Sequence, residues 1–171
     1  MKLSVVVTGN FSKCLDLKNN FFNLLKNKKC VDGVIWKCLG GDQYQLHLFE
    51  MKKTITHSTW KEVKIQYHGT FLRCRMVADL LGVRFDSRIH LHTVFCTEDN
   101  TDLAMIRIPT DEQPNQEEQG WCRNRYDLPP QYLSPHWGEL NFQHHKVKLE
   151  NLNAEGIPEG NYDLNHPDKI V

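Results

Sequence analysis

Between Tyr44 and Lys53 apolar and polar residues alternate as a pleated strand requires. Tyr44, Leu46, Leu48, Glu50 and Lys52 fall on one face, and Gln45, His47, Phe49 and Met51 on the other. The first face is apolar until it ends in an acid and a lysine, which is an odd finish for a strand that only fills a core. Upstream, Val31 to Cys38 is rich in β-branched and aromatic residues, and Gly40-Gly41-Asp42 supplies turn chemistry between the two arms. The stretch from Cys30 to Thr54 therefore predicts a β-hairpin. Leu3 to Val7 predicts a short strand closed by Thr8-Gly9-Asn10, and this N-terminus has no small-residue cleavage pattern of a signal peptide.

The period changes on either side of the hairpin. Ser12 can cap a helix over about Lys13 to Lys28, whose apolar stripe is Leu15, Phe21, Phe22, Leu24 and Leu25. A second helix is predicted from Ser58 or Thr59 to Leu81, with Trp60, Val63, Phe71, Leu72, Met76 and Ala78 at helical spacing and Gly82 as its stop. Arg88 to Cys96 and Leu103 to Ile108 read as further strands. After Pro109 the chain turns acidic and then rich in proline and scattered aromatics. This predicts an α/β core over residues 1–110, with a mixed central sheet flanked by helices. Residues 111–171 are expected to form an irregular extension packed on that core, with a mobile end after about Asn153.

Composition narrows the function classes. Hydrophobic residues make up 40% and charged ones 25%, as in an ordinary globular chain. The 21 basic and 21 acidic residues cancel, so no global positive field draws the protein to nucleic acid or to a membrane surface. No apolar run approaches the roughly 20 residues of a membrane span. Six cysteines without a Cys-x-x-Cys pair read as reduced core thiols, which points to a cytoplasmic protein.

The order strand, helix, strand–turn–strand, helix, strand, with an acid opening the hairpin and Glu-x-Lys closing it, resembles the PD-(D/E)XK nuclease superfamily. The matching residues are Val31-Asp32-Gly33-Val34-Ile35 and Leu48-Phe49-Glu50-Met51-Lys52, and the resemblance covers about residues 10 to 96. The proline of the family name is replaced by Val31. The resemblance implies Asp32 and Glu50 as ligands of Mg²⁺ or Mn²⁺, the Met51 backbone carbonyl as a third ligand, and Lys52 as the group that orients or activates water. The chemistry supports that donor set. Mg²⁺ is a hard ion that takes carboxylate oxygens and keeps several waters, and phosphodiester hydrolysis needs a nucleophile and neutralisation of building charge. Asp16-Leu17-Lys18 and Glu62-Val63-Lys64 repeat the tripeptide on predicted helices, where i and i+2 diverge. On the second helix Gln66 stands where several branches of the superfamily place a polar residue beside the metal, to hold Glu50 or a phosphate. The Gln-x-x-x-Tyr pattern of RecB-like members is incomplete here, since Thr70 follows Gln66. Arg73 and Arg75 are candidate contacts to a phosphate backbone. The implied partner is nucleic acid, DNA first, and a homodimer would allow both strands to be cut.

Two rival readings stand beside this one. His90-Leu91-His92 resembles the His–hydrophobic–His motif of rolling-circle and relaxase endonucleases, although Tyr67, the tyrosine on a predicted helix, precedes the histidines. Alternatively the chain is a non-catalytic protein-binding module that retains a nuclease-like fold, with tryptophan and tyrosine anchors in its C-terminal third. His144-His145, with Lys146 and Lys148, reads as a solvated basic cluster.

Overall fold

A computed structural model describes residues 1–7, 9–14, 29–99 and 140–164. In chain order the elements are β1 (Lys2–Val6), β2 (Phe11–Cys14), β3 (Gly33–Gly40), β4 (Gln43–Ile55), α1 (His57–Leu81), β5 (Arg84–Glu98), β6 (Asn141–Lys148), β7 (Asn151–Leu152) and β8 (Pro158–Asp163). The fold is α/β. A mixed five-stranded sheet runs β2-β3-β4-β5-β6, antiparallel across the first two pairings and parallel across the last two. A second sheet, β1-β8-β7, pairs the two ends of the described chain, with β1 and β8 parallel.

The hairpin forms as its alternation predicts. Gly40 and Gly41 take φ of 126° and 58° at the turn, which a Cβ would oppose. Because β4 and β5 are parallel, a crossover must join them, and α1 is that crossover. Its start is fixed by reciprocal bonds: Thr56 Oγ1 accepts from Thr59 N–H at 3.1 Å, and Thr59 Oγ1 accepts from Thr56 N–H at 2.7 Å. Its end is Gly82, at φ 68°, whose N–H returns to Ala78 O and Asp79 O. Trp60, Val63, Tyr67, Phe71, Cys74 and Ala78 form one buried stripe that packs on Leu46 and Leu48 of β4 and Ile89 and Leu91 of β5. The larger aliphatic and phenylalanine side chains among them each contribute about 1.5–3 kcal/mol on burial. The opposite face of the sheet is covered by the second sheet, with Tyr162, Leu164 and Leu3 against Phe49, Val94 and Val147. Covered on both faces, β4 is buried continuously from Leu46 to Glu50.

Three sequence expectations change. Phe11 to Cys14, read as the start of a helix capped by Ser12, instead pairs antiparallel with Val34 to Lys37 and extends the sheet. Sheet pairing outweighs a local capping signal there. The strand expected over Arg88 to Cys96 is longer at both ends, since its parallel pairing with β4 runs from Arg84 to Glu98. Within the C-terminal third, where the composition predicts irregular chain, residues 140–164 carry three strands, and β6 closes the edge of the main sheet against β5. The helix expected through residue 28 and the strand expected over 103–108 lie, beyond residue 14 and in full respectively, outside the described residues. Among the described residues no helix is long and apolar enough to cross a membrane.

Candidate metal centre

Asp32 stands one residue before β3, and the pairing of Gly33 with Phe49 brings it beside Glu50 and Met51. Its Oδ2 accepts from the Met51 N–H at 2.9 Å. Glu50 points to the α1 side of β4 and is only 1% exposed. Two residues on and on the same side, Lys52 sets its Nζ 2.8 Å from Glu50 Oε1 while staying partly open to solvent. Gln66 reaches down from α1, donating from Nε2 to Cys30 O at 3.2 Å, and its amide lies near enough to Glu50 to favour the carboxylate. The structure therefore brings Asp32, Glu50, Lys52 and Gln66 to one end of the hairpin.

Burial raises the Glu50 carboxyl above its ordinary range. The bond from Lys52 opposes the rise, the nearby Asp32 carboxylate adds to it, and Gln66 opposes it. Among the described residues Glu50 Oε2 and Gln66 Oε1 are buried acceptors without a hydrogen-bond partner. Leaving such oxygens unsatisfied is costly, and both are the kind of donor a hard cation prefers. No group of three or more His, Cys, Asp or Glu among the described residues is placed to hold a metal. The candidate donors are the two carboxylates, which a backbone carbonyl and water would have to supplement around an ion. That suits Mg²⁺, which keeps several waters, better than an ion enclosed entirely by side chains. A largely apolar cavity of about 490 Å³ lies next to Asp32, walled by Gly33, Ile35, Phe49, Met51 and Val5 among others.

Other candidates fall elsewhere. Arg73 is 2% exposed and gives Nη1 to Lys29 O and Gly69 O, so it faces no phosphate. Arg75 pairs with Asp79 at 2.9 Å. Tyr67 bonds Thr93 Oγ1 at 2.8 Å on the α1 side of the sheet, whereas His90 and His92 alternate with Thr93 and face the other side. The tyrosine and the histidine pair are thus separated by the sheet.

His90 and His92 belong to a layer that sequence reasoning missed. Rings of His47, His90, His92 and His145 stack across β4, β5 and β6 within about 16° of parallel, with Phe49 at one end 4.3 Å from His92. His47 Nδ1 meets His92 Nε2 at 3.1 Å, and His90 Nδ1 meets His145 Nε2 at 3.0 Å. Burial, with neighbouring positive charge second, lowers the pKa of His47 to about 2, of His90 to about 4, and of His92 well below the usual value. His47, His90 and His92 are thereby held neutral, and a neutral imidazole has one N–H. Gln45 Oε1 accepts from His47 Nε2 at 3.1 Å, so His47 Nδ1 accepts from His92 Nε2–H, and His92 Nδ1 is left as a buried lone pair. His144, expected at a solvated surface, instead packs on Trp60 with its Nε2 2.8 Å from Thr93 Oγ1.

Comparison of the chain with protein families, with curated proteins and with solved structures finds no match.

Proposed function

We propose that this protein is a divalent-metal-dependent nuclease of the PD-(D/E)XK kind that hydrolyses phosphodiester bonds in DNA. The observation that carries the reading is a buried glutamate, Glu50, with one oxygen on the Lys52 ammonium and the other unpartnered, beside a second carboxylate. A buried glutamate with an orphan oxygen, set beside the exposed Asp32 carboxylate, is an unstable arrangement for a core and a useful one for holding a cation.

In this reading Asp32 and Glu50 hold Mg²⁺ or Mn²⁺, with the Met51 carbonyl as third protein donor. The bound ion supplies Lewis acidity toward the phosphate and toward water. Lys52, partly exposed at the same end of the strand, donates hydrogen bonds to the attacking water and offsets phosphate charge. Gln66 keeps the Glu50 carboxylate in place through the amide hydrogen not given to Cys30. A cytoplasmic setting fits the free thiols of Cys30, Cys38, Cys74 and Cys96.

The experiment is incubation of the purified chain with plasmid, linear duplex and single-stranded DNA in Mg²⁺, Mn²⁺ or chelator. Cleavage that requires the ion is the expected result. No cleavage of any substrate under either metal would remove the catalytic reading and favour a binding module on the same fold.

A further inference from the structure

Three side chains on one stripe of α1 grip the backbone just ahead of Asp32. Gln66, Thr70 and Arg73 are spaced i, i+4 and i+7, so they lie on one face of the helix. Gln66 Nε2 donates to Cys30 O at 3.2 Å, Thr70 Oγ1 accepts from Val31 N–H at 2.9 Å, and Arg73 Nη1 donates to Lys29 O at 3.1 Å. Three consecutive residues, 29 to 31, each take one rung. They precede β3, whose ladder begins at Gly33.

The rungs are themselves braced. Thr70 gives its single hydroxyl proton to Gln66 O at 2.8 Å, and Arg73 Nη1 also reaches Gly69 O at 3.1 Å. Both side chains are buried, and burying a guanidinium to hold main-chain carbonyls is costly where an apolar side chain would pack. The residue that follows the gripped segment is Asp32, and the same helix reaches Glu50 through Gln66. Both carboxylates are therefore referenced to one rigid element.

We infer that Thr70 and Arg73 are positioning residues, which fix the Asp32 carboxylate relative to Glu50 by clamping Lys29 to Val31 onto α1. This rests on the metal-site reading above. Neither residue touches the ion or the substrate, and their effect passes through the backbone. Residues that orient ligands in this way are worth about 10–100-fold in metal affinity.

The test is Mn²⁺ titration of the full chain by calorimetry, without nucleic acid, for wild type, Thr70→Val and Thr70→Ser. Thr70→Val keeps the volume and removes the acceptor of Val31 N–H, while serine restores it. The expected result is Mn²⁺ binding weakened about 10–100-fold in Thr70→Val, with an unchanged far-ultraviolet spectrum and a cooperative melt. Thr70→Ser should stay close to wild type. Equal binding by wild type and Thr70→Val overturns the positioning role alone, whereas no binding by wild type overturns the metal site and the positioning role with it. Should Thr70→Val fail to melt cooperatively, Arg73→Lys, which keeps the charge and loses the fork, gives the decision on the same readout.

Discussion

The Lys52 ammonium lies 2.8 Å from Glu50 Oε1, at a point where β4 is buried on both faces. An ion pair so placed compensates one glutamate oxygen only, and Lys52 keeps access to solvent while Glu50 does not. Replacing Lys52 by alanine therefore has two separable effects. Loss of the partner costs about 1–3 kcal/mol of stability, which a single urea unfolding curve measures. Metal-dependent cleavage falls to background although the chain stays folded. Undiminished cleavage by the variant would defeat the role given to Lys52.

Glu50→Gln asks whether the acid serves the fold or the site. The amide removes a buried charge whose carboxyl is already pushed up by burial and by Asp32. Isosteric relief of that kind leaves stability level or improves it. The variant is expected to melt at or above the wild-type temperature and to lose the upward shift that millimolar Mn²⁺ gives wild type. A clear fall in melting temperature would mark Glu50 as a structural residue.

Acid should weaken the fold steeply. His47, His90 and His144 have folded pKa values of about 2, about 4 and about 3, and His92 lies well below the usual 6.5, all chiefly because of burial. Below pH 6.5 the unfolded chain takes up protons that the folded chain refuses. Stability is thus intact above pH 6.5 and is lost as pH falls toward about 4, by up to about 1.4 kcal/mol per pH unit for each histidine. Urea midpoints measured from pH 7.5 to 4.5 should drop across this window. A flat profile would mean that the imidazole layer is open to water.

Thr93 sits opposite Glu50 in the ladder and shares its hydroxyl between Tyr67 and His144, at 2.8 Å each. Thr93→Val keeps the shape and takes one partner from both. A loss of about 1–3 kcal/mol in unfolding free energy is expected, with cleavage retained. Loss of cleavage at unchanged stability would instead put Thr93 in the site.

How much of this was legible in the sequence follows from what each feature depends on. The hairpin, α1 and its Gly82 end are local: strand alternation, one helical stripe and a glycine stop suffice to read them, while the start read at Ser58 or Thr59 lies slightly earlier, capped by Thr56. The convergence of Glu50, Lys52 and Asp32 is nearly local, since parity along β4 and one hairpin register decide it. The histidine layer depends on strand order. His47, His92 and His145 become neighbours only because β4, β5 and β6 lie side by side, and the parallel pairing with β6 spans a long stretch of chain. Arg73 misled for a related reason. A basic residue on an amphipathic helix reads as exposed until the backbone at Lys29, which its guanidinium serves, is known to lie beneath it. Phe11 to Cys14 shows the remaining limit, where a capping serine is outweighed by an edge strand that needs a partner.

Whether Asp32 and Glu50 hold one divalent ion between them is tested most directly by calorimetric Mn²⁺ titration of wild type beside Asp32→Asn. The account predicts one ion per wild-type chain and no measurable binding by Asp32→Asn, whose melting temperature without metal stays close to wild type. Binding of equal strength in both proteins, or in neither, would contradict it.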